Sequence, residues 1–240
     1  MQKETAGTRN MVKNMQENKG RIFYDVDTQS DFMNADGALA VPGASTIKGA
    51  LCALTVYATA AEISVFGSVD RHFGTPEYKA REGELKRHDG PFPDHCMDGT
   101  CGQRKIDETT RRINNVEHSL YLPHLLPEAT SERLEKIAHH AFTLNIPLYL
   151  EKQSYDVFTN PLAEVLLREA GVNEAIVYGV ATDFCVRAAV TGMQQRGIQC
   201  YVVQNAIAGV FPETSAAALR EMKQAGARFV TTADVLEGRI

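Results

Sequence analysis

The sequence predicts a single α/β domain, a three-layer α-β-α arrangement around a mostly parallel central sheet. Short apolar runs of strand length alternate with helix-like segments from Arg21 onward. That alternation is the pattern of a parallel sheet covered by helices on both faces. At 240 residues the chain is long enough for one sizeable core and requires no second. No internal repeat or low-complexity linker divides it. Residues 21–240 are therefore read as one domain, and residues 1–20, which are polar, as an N-terminal arm or short surface helix.

The elements follow in order. Arg21–Val26 is the first strand. Pro42-Gly43-Ala44-Ser45 opens a helix that runs to about Ala60, with Ser45 as its N-cap. Ile63–Val69 is the second strand. Thr130–Leu144 is a helix, and strand Ile146–Leu150 follows it. Asn160-Pro161 opens another helix, closed by Gly171, before strand Ala175–Val180. A helix follows Cys185 and ends near Gly197, and Ile198–Val203 is the next strand. Glu213–Gln224 is a helix closed by Gly226, and Ala227–Val230 is a final short strand. Crossovers between parallel strands are expected to be right-handed. The segment from Arg71 to about Asn115 breaks this rhythm and is rich in Gly, Pro, His and charge. Irregular segments of that length are usually functional or disordered. The residues it holds favour the functional reading.

Composition narrows the classes. A hydrophobic fraction of 44% and a charged fraction of 23% are those of an ordinary soluble globular protein. The formal net charge of -5 gives no reason to expect nucleic acid as a partner. No apolar run approaches a membrane span, and residues 1–20 lack the apolar stretch of a signal peptide. The five cysteines are odd in number and form no Cys-x-x-Cys pair, so a reduced, cytoplasmic protein is expected.

The richest stretch is Gly179-Val180-Ala181-Thr182-Asp183-Phe184-Cys185-Val186. It places Cys185 where a strand turns into a helix. The first N–H groups of a helix lack intrahelical partners and the dipole there is positive, which favours a thiolate and could hold an oxyanion. Open parallel sheets bind ligands outside the carboxyl ends of their strands, and other candidates stand at such ends. Asp27 closes the first strand; Asp25 shares its face if the strand is regular, and Asp31 could instead bond turn amides. Residue types alone leave the choice among these three open. Lys152 closes another strand, where it could hold an acid ionised and lower a thiol pKa. Asp70-x-His72 follows the second strand and His95 lies further along the same loop, together a first shell for Zn2+, Fe2+ or Mn2+. Cys96 adjoins His95, but neighbours in an extended chain point in opposite directions. Cys52 and Cys200 lie in apolar patterns and are read as core. His88, His118, His124, His139 and His140 are read as surface or helix histidines.

Taken together these segments resemble the nicotinamidase and isochorismatase-like cysteine hydrolases. The motifs are Val26-Asp27-Thr28-Gln29-Ser30-Asp31-Phe32, Gly37 to Ala44, Asp70-Arg71-His72, Phe92 to Thr100, Lys152 with Tyr155-Asp156-Val157-Phe158, and Gly179 to Val186. The resemblance implies the isochorismatase-like fold, Cys185 as nucleophile, Asp27 as general base and Lys152 as third member of a triad. It chooses Asp27 because the family's acid stands two residues before the Gln. It implies Asp70, His72 and His95 as ligands of one divalent metal, zinc in the first instance. It also implies a cis peptide between Val180 and Ala181 that aims the N–H groups of Ala181 and Cys185 at the oxyanion. Phe32 and Phe92 match aromatic contacts to a pyridine ring, and Tyr155 joins them as a substrate-binding residue. The chain departs from the pattern in having Phe92 where Trp is common, and no Trp at all. A further metal ligand, seen in some members, could come from Glu77, Glu82, Glu84 or His88.

The implied activity is hydrolysis of nicotinamide to nicotinate and ammonia, with a small-molecule amide as the only partner required. Alternatives are a related amidase acting on a ureido, carbamoyl or maleamate-type substrate, and a non-catalytic ligand-binding paralogue. A thiol-redox role lacks a partner cysteine at motif spacing. Apolar residues in the helices flanking Cys185 and Glu213 permit a homo-oligomer without specifying one.

Overall fold

Strand β1 (Arg21–Val26) is apolar apart from Arg21 at its start and Asp25, and it lies at the centre of the sheet, as burial on both faces requires. The structure, a computed structural model, describes residues 20–123 and 130–240. The expected N-terminal arm, apart from Gly20, and His124 lie outside the described residues. The other strands are β2 (Val65–Asp70), β3 (Arg112–Ile113), β4 (Val116–Glu117), β5 (Leu120–Leu122), β6 (Leu148–Lys152), β7 (Glu174–Val180), β8 (Gln199–Ala208) and β9 (Arg228–Val230). Among the described residues, seven of them form one sheet in the order β5-β6-β2-β1-β7-β8-β9. Every pairing in it is parallel, and β3 and β4 form a separate antiparallel hairpin.

Two apolar clusters flank this sheet and make the three layers. One packs helices Ser131–Thr143, Leu162–Glu169, Arg187–Gln195 and Pro212–Gln224 against Tyr24, Val26, Leu148, Leu150 and Val177. The other packs helices Ala44–Ala60 and Thr232–Leu236 against Phe23, Val65, Tyr149, Ile176 and Tyr178. Helix Ala44–Ala60 buries Ala44, Ile47, Leu51, Leu54 and Ala58, the spacing of three and four that makes one apolar stripe. No helix among the described residues is long and apolar enough to cross a membrane.

Several boundaries differ from expectation. Strands β2 and β6 begin and end later than the apolar runs suggested, so that Asp70 and Lys152 are their last residues. Strand β8 extends to Ala208. Ser45 is not an N-cap: that place belongs to Gly43, whose φ of 78° is left-handed and suits glycine. Cys52 is exposed rather than core, on the solvent side of its helix, while Cys200 is buried as expected. The closing helix Thr232–Leu236 was not anticipated, although Thr231 and Asp234 form its capping box. The long segment after Arg71 is folded around short 3-10 turns at Pro76–Tyr78, Lys86–His88 and Asp107–Thr109.

Candidate active site

The carboxyl ends of β1, β2, β6 and β7 converge, and each delivers one candidate residue. Asp27 follows β1 with φ 48°, so the regular alternation stops before it. The expectation that Asp25 shares its face is therefore corrected. Asp25 accepts from Lys105 Nζ at 2.7 Å and Thr28 Oγ1 at 2.8 Å, on the side where Lys105 lies over the Tyr149 ring. Asp27 accepts from Ser68 Oγ at 2.7 Å and pairs with Lys152 at 2.8 Å. Asp31 bonds turn amides, those of Ala38 at 3.1 Å and Cys96 at 2.7 Å.

Lys152 is fully buried and joins the group. Its Nζ contacts Asp27, Asp70 Oδ1 and, at 3.4 Å, Cys185 Sγ. Carboxylate oxygens of Asp27 and Asp70 and the sulfur of Cys185 all lie within 4.8 Å of one another. Burial opposes a charged Lys152, but Asp27 and Asp70 overcome it and hold the ammonium well above the usual lysine range. Burial also opposes ionised Asp70, yet Lys152 and the nearby His95 and His72 hold it below the usual carboxylate range. For Asp27, burial prevails over Lys152 and raises the pKa.

Cys185 does not occupy the first turn of an ordinary α-helix. It sits in a π-helical turn, Thr182–Val186, that leads into helix Arg187–Gln195. Burial pushes its thiol well up, with Lys152 pulling the other way. A carboxylate oxygen of Asp27 lies within 4.8 Å of its sulfur. Val180–Ala181 is a cis peptide, and Ala181 and Cys185 line the same pocket. Asp183 fixes the turn from behind: its carboxylate accepts from Val210 N at 2.9 Å, Phe211 N at 3.0 Å and Thr214 Oγ1 at 2.6 Å.

Next to this group lies a cluster of Asp70, His72, Glu84 and His95, each offering one donor atom within 4.8 Å of the others. His72 Nε2 is 3.0 Å from Glu84 Oε1 and 3.9 Å from Asp70 Oδ2. His95 Nε2 is 3.8 Å from both carboxylates. The loop closes on itself to achieve this: His72 N donates to Cys96 O at 3.1 Å and Phe92 N to Glu84 O at 2.9 Å. His72 Nε2 and Glu84 Oε1 are buried without hydrogen-bond partners. His95 Nδ1 lies 2.8 Å from Pro93 O; as a donor there, it leaves the Nε2 lone pair facing the cluster. Four buried side chains that converge, two imidazoles and two carboxylates, with His72 Nε2 and Glu84 Oε1 orphaned, fit a divalent cation. Of the four candidates for the further position the geometry brings in Glu84. Glu82 instead accepts from Phe73 N at 2.5 Å and Gly74 N at 2.8 Å, with His88 Nε2 3.6 Å away. Glu77 is exposed. Cys96 turns its sulfur toward Gly102 O and stays outside the cluster.

Both groups open on one pocket of about 370 Å3 of empty space, part of it open to solvent. Phe32, Phe92 and Tyr155 all line it, as do Asp70, Glu84, His95, Ala181 and Cys185. Phe184, unremarked in the sequence reading, lines it too, its ring 5.4 Å from Phe92 and 5.1 Å from Tyr155. Its position beside Cys185 in the motif was the only signal.

Residues 127–234 match the model of the isochorismatase domain. The chain is 28% identical over 219 residues to the nicotinamidase/pyrazinamidase of Mycobacterium tuberculosis, covering 88% of this chain and 98% of that one. It is 26% identical over 228 residues to the nicotinamidase of Escherichia coli, covering 89% and 96%. The fold is shared with the pyrazinamidase of Pyrococcus horikoshii, solved in complex with zinc, at a TM-score of 0.66 and 24% identity, covering 88% of this chain and 99% of that one. The parallel sheet with helices on both faces is the isochorismatase-like α/β fold. Within that fold, the chain is similar to members of the nicotinamidase/isochorismatase-like family.

Proposed function

We propose that this protein hydrolyses nicotinamide to nicotinate and ammonia through a thioester on Cys185. The observation that carries the reading is the buried Lys152 ammonium, which touches Asp27 and the Cys185 sulfur at once, with Cys185 itself lining an aromatic pocket. In this mechanism Asp27 takes the thiol proton as Sγ attacks the amide carbon. The carbonyl electron pair moves onto oxygen, held by the N–H groups of Ala181 and Cys185. As the C–N bond breaks, Asp27 returns its proton to the departing nitrogen and ammonia leaves. Asp27 then takes a proton from water, which attacks the thioester; the C–S bond breaks and the proton returns to sulfur. Lys152 stabilises the negative charge that passes between Asp27 and Cys185. Phe32, Phe92 and Tyr155 enclose the ring.

Asp70, His72, Glu84 and His95 would hold one divalent ion, Zn2+ first, with Fe2+ or Mn2+ as alternatives. When bound, such an ion supplies a Lewis-acidic point for a ring nitrogen or a water molecule. The test is ammonia release from a panel of small amides. Nicotinamide turnover supports the reading. Release from a ureido, carbamoyl or maleamate-type amide alone would replace the substrate, and release from none would overturn the function.

A further inference from the structure

Gln29 is fully buried against the Asp70 backbone, yet the mechanism above gives it no task. Its surroundings do. The β1–β2 ladder carries bonds from Phe23 N to Ser64 O at 3.0 Å and from Asp27 N to Ser68 O at 3.1 Å. In a parallel ladder of that spacing, Asp70 N would next donate to the Asp27 carbonyl, and the residue 29 N–H would donate to Asp70 O. Neither backbone bond forms, because the chain turns away at Asp27 with its φ of 48°. Gln29 N donates instead to Asp27 O at 2.7 Å.

The Gln29 side chain takes both places. Its Nε2 donates to Asp70 O at 2.7 Å, and its Oε1 accepts from Asp70 N at 2.7 Å. A primary amide has the donor and acceptor of a peptide group, so it can stand in for one more residue of strand. The second Nε2 proton goes to Gln103 O at 2.7 Å. On its other side Asp70 is paired with Lys152 in the β2–β6 register. Asp70 is thus held at the backbone from both flanks, while its carboxylate divides between Lys152 and the imidazoles of His72 and His95.

We propose that Gln29 is a positioning residue: its amide completes the ladder where β1 ends and so fixes the direction of the Asp70 carboxylate toward the ligand cluster. The inference rests on the metal reading given above. A Co2+ titration followed by visible absorption tests it, with melting curves recorded on the same samples. Gln29→Glu keeps the volume but loses both donors, and Gln29→Met keeps the volume without any hydrogen bond. Co2+ affinity should fall roughly 10- to 100-fold in either variant, the range for loss of an outer-shell partner, and the absorption bands should change. Thr109→Val breaks the neighbouring Thr28–Thr109 contact of 2.7 Å without touching Asp70, and should bind Co2+ as the wild-type protein does. A cooperatively melting Gln29→Met variant with wild-type Co2+ affinity and spectrum overturns this inference alone. No Co2+ binding by the wild-type protein overturns the metal reading and this inference with it.

Discussion

Asp70 and Lys152 stand opposite each other as the last residues of β2 and β6, and their side chains meet. One carboxylate therefore belongs to two groups at once, with Oδ1 toward the lysine and Oδ2 toward His72 and His95. The proposed triad and the proposed ligand cluster are neighbours through this residue.

Cys185→Ala should abolish ammonia release while the melting temperature stays close to that of the parent. Asp27→Asn keeps the shape and removes the proton acceptor, so kcat should fall by about 100- to 10,000-fold. Steady-state kinetics on both variants checks this. Substantial turnover by Cys185→Ala rules out a thioester route.

Lys152→Met should be worse for folding than either change. It leaves Asp27 and Asp70 buried without their shared counter-charge. Removing one partner of a buried ionic group costs about 3–5 kcal/mol, to be read from urea unfolding. A variant as stable as the parent would show that the two carboxylates find other compensation.

His72→Ala and Glu84→Gln should lose bound metal while retaining the fold. Elemental analysis after dialysis against a weak chelator, with circular dichroism alongside, measures both. A fully active protein that contains no metal refutes the ligand assignment and leaves the triad untouched.

Nicotinamide and pyrazinamide should be hydrolysed much faster than benzamide, which has the same outline but no ring nitrogen. Loss of one buried polar contact can cost several-fold to many-fold in specificity. Phe92→Ala should raise KM for all three by opening one wall of the pocket. Equal kcat/KM for nicotinamide and benzamide would mean that nothing in the site reads the ring nitrogen.

The buried Asp25–Lys105 pair belongs to the opposite face of β1 and should matter for stability rather than chemistry. Lys105→Met strands the Asp25 carboxylate and should cost about 3–5 kcal/mol. The double variant with Asp25→Asn should recover most of that loss. Urea unfolding of the single and double variants decides the point.

Much of this was legible in the sequence because parallel strands buried on both faces announce themselves as apolar runs. Strand β1 falls where its run predicts, and motif order brought Asp27, Lys152 and Cys185 to one edge. What escaped depends on contacts remote in sequence. The choice of Glu84 among the four candidates for the further ligand rests on the loop folding back through Phe92, and no local period encodes that. The parting of Asp25 from Asp27 follows from one left-handed residue that strand alternation does not foresee. Burial pushes the Cys185 thiol up, a contribution that the local dipoles of a strand-to-helix turn do not include. The end of β2 was set one residue too early because Asp70 is charged, though it is buried by pairing with Lys152.

The three bonds accepted by Asp183 have a bearing on how the specificity of this protein could change. Val210, one wall of the pocket, and the turn that carries Cys185 are fastened to the same carboxylate. An insertion or shift in the Gly209–Pro212 stretch would drag the nucleophile along with the wall. New substrates are therefore more readily accommodated through Phe32, Phe92 and Tyr155, whose side chains can be exchanged without disturbing that anchor. In evolution or in the laboratory, the adaptable side of this cleft is its aromatic side.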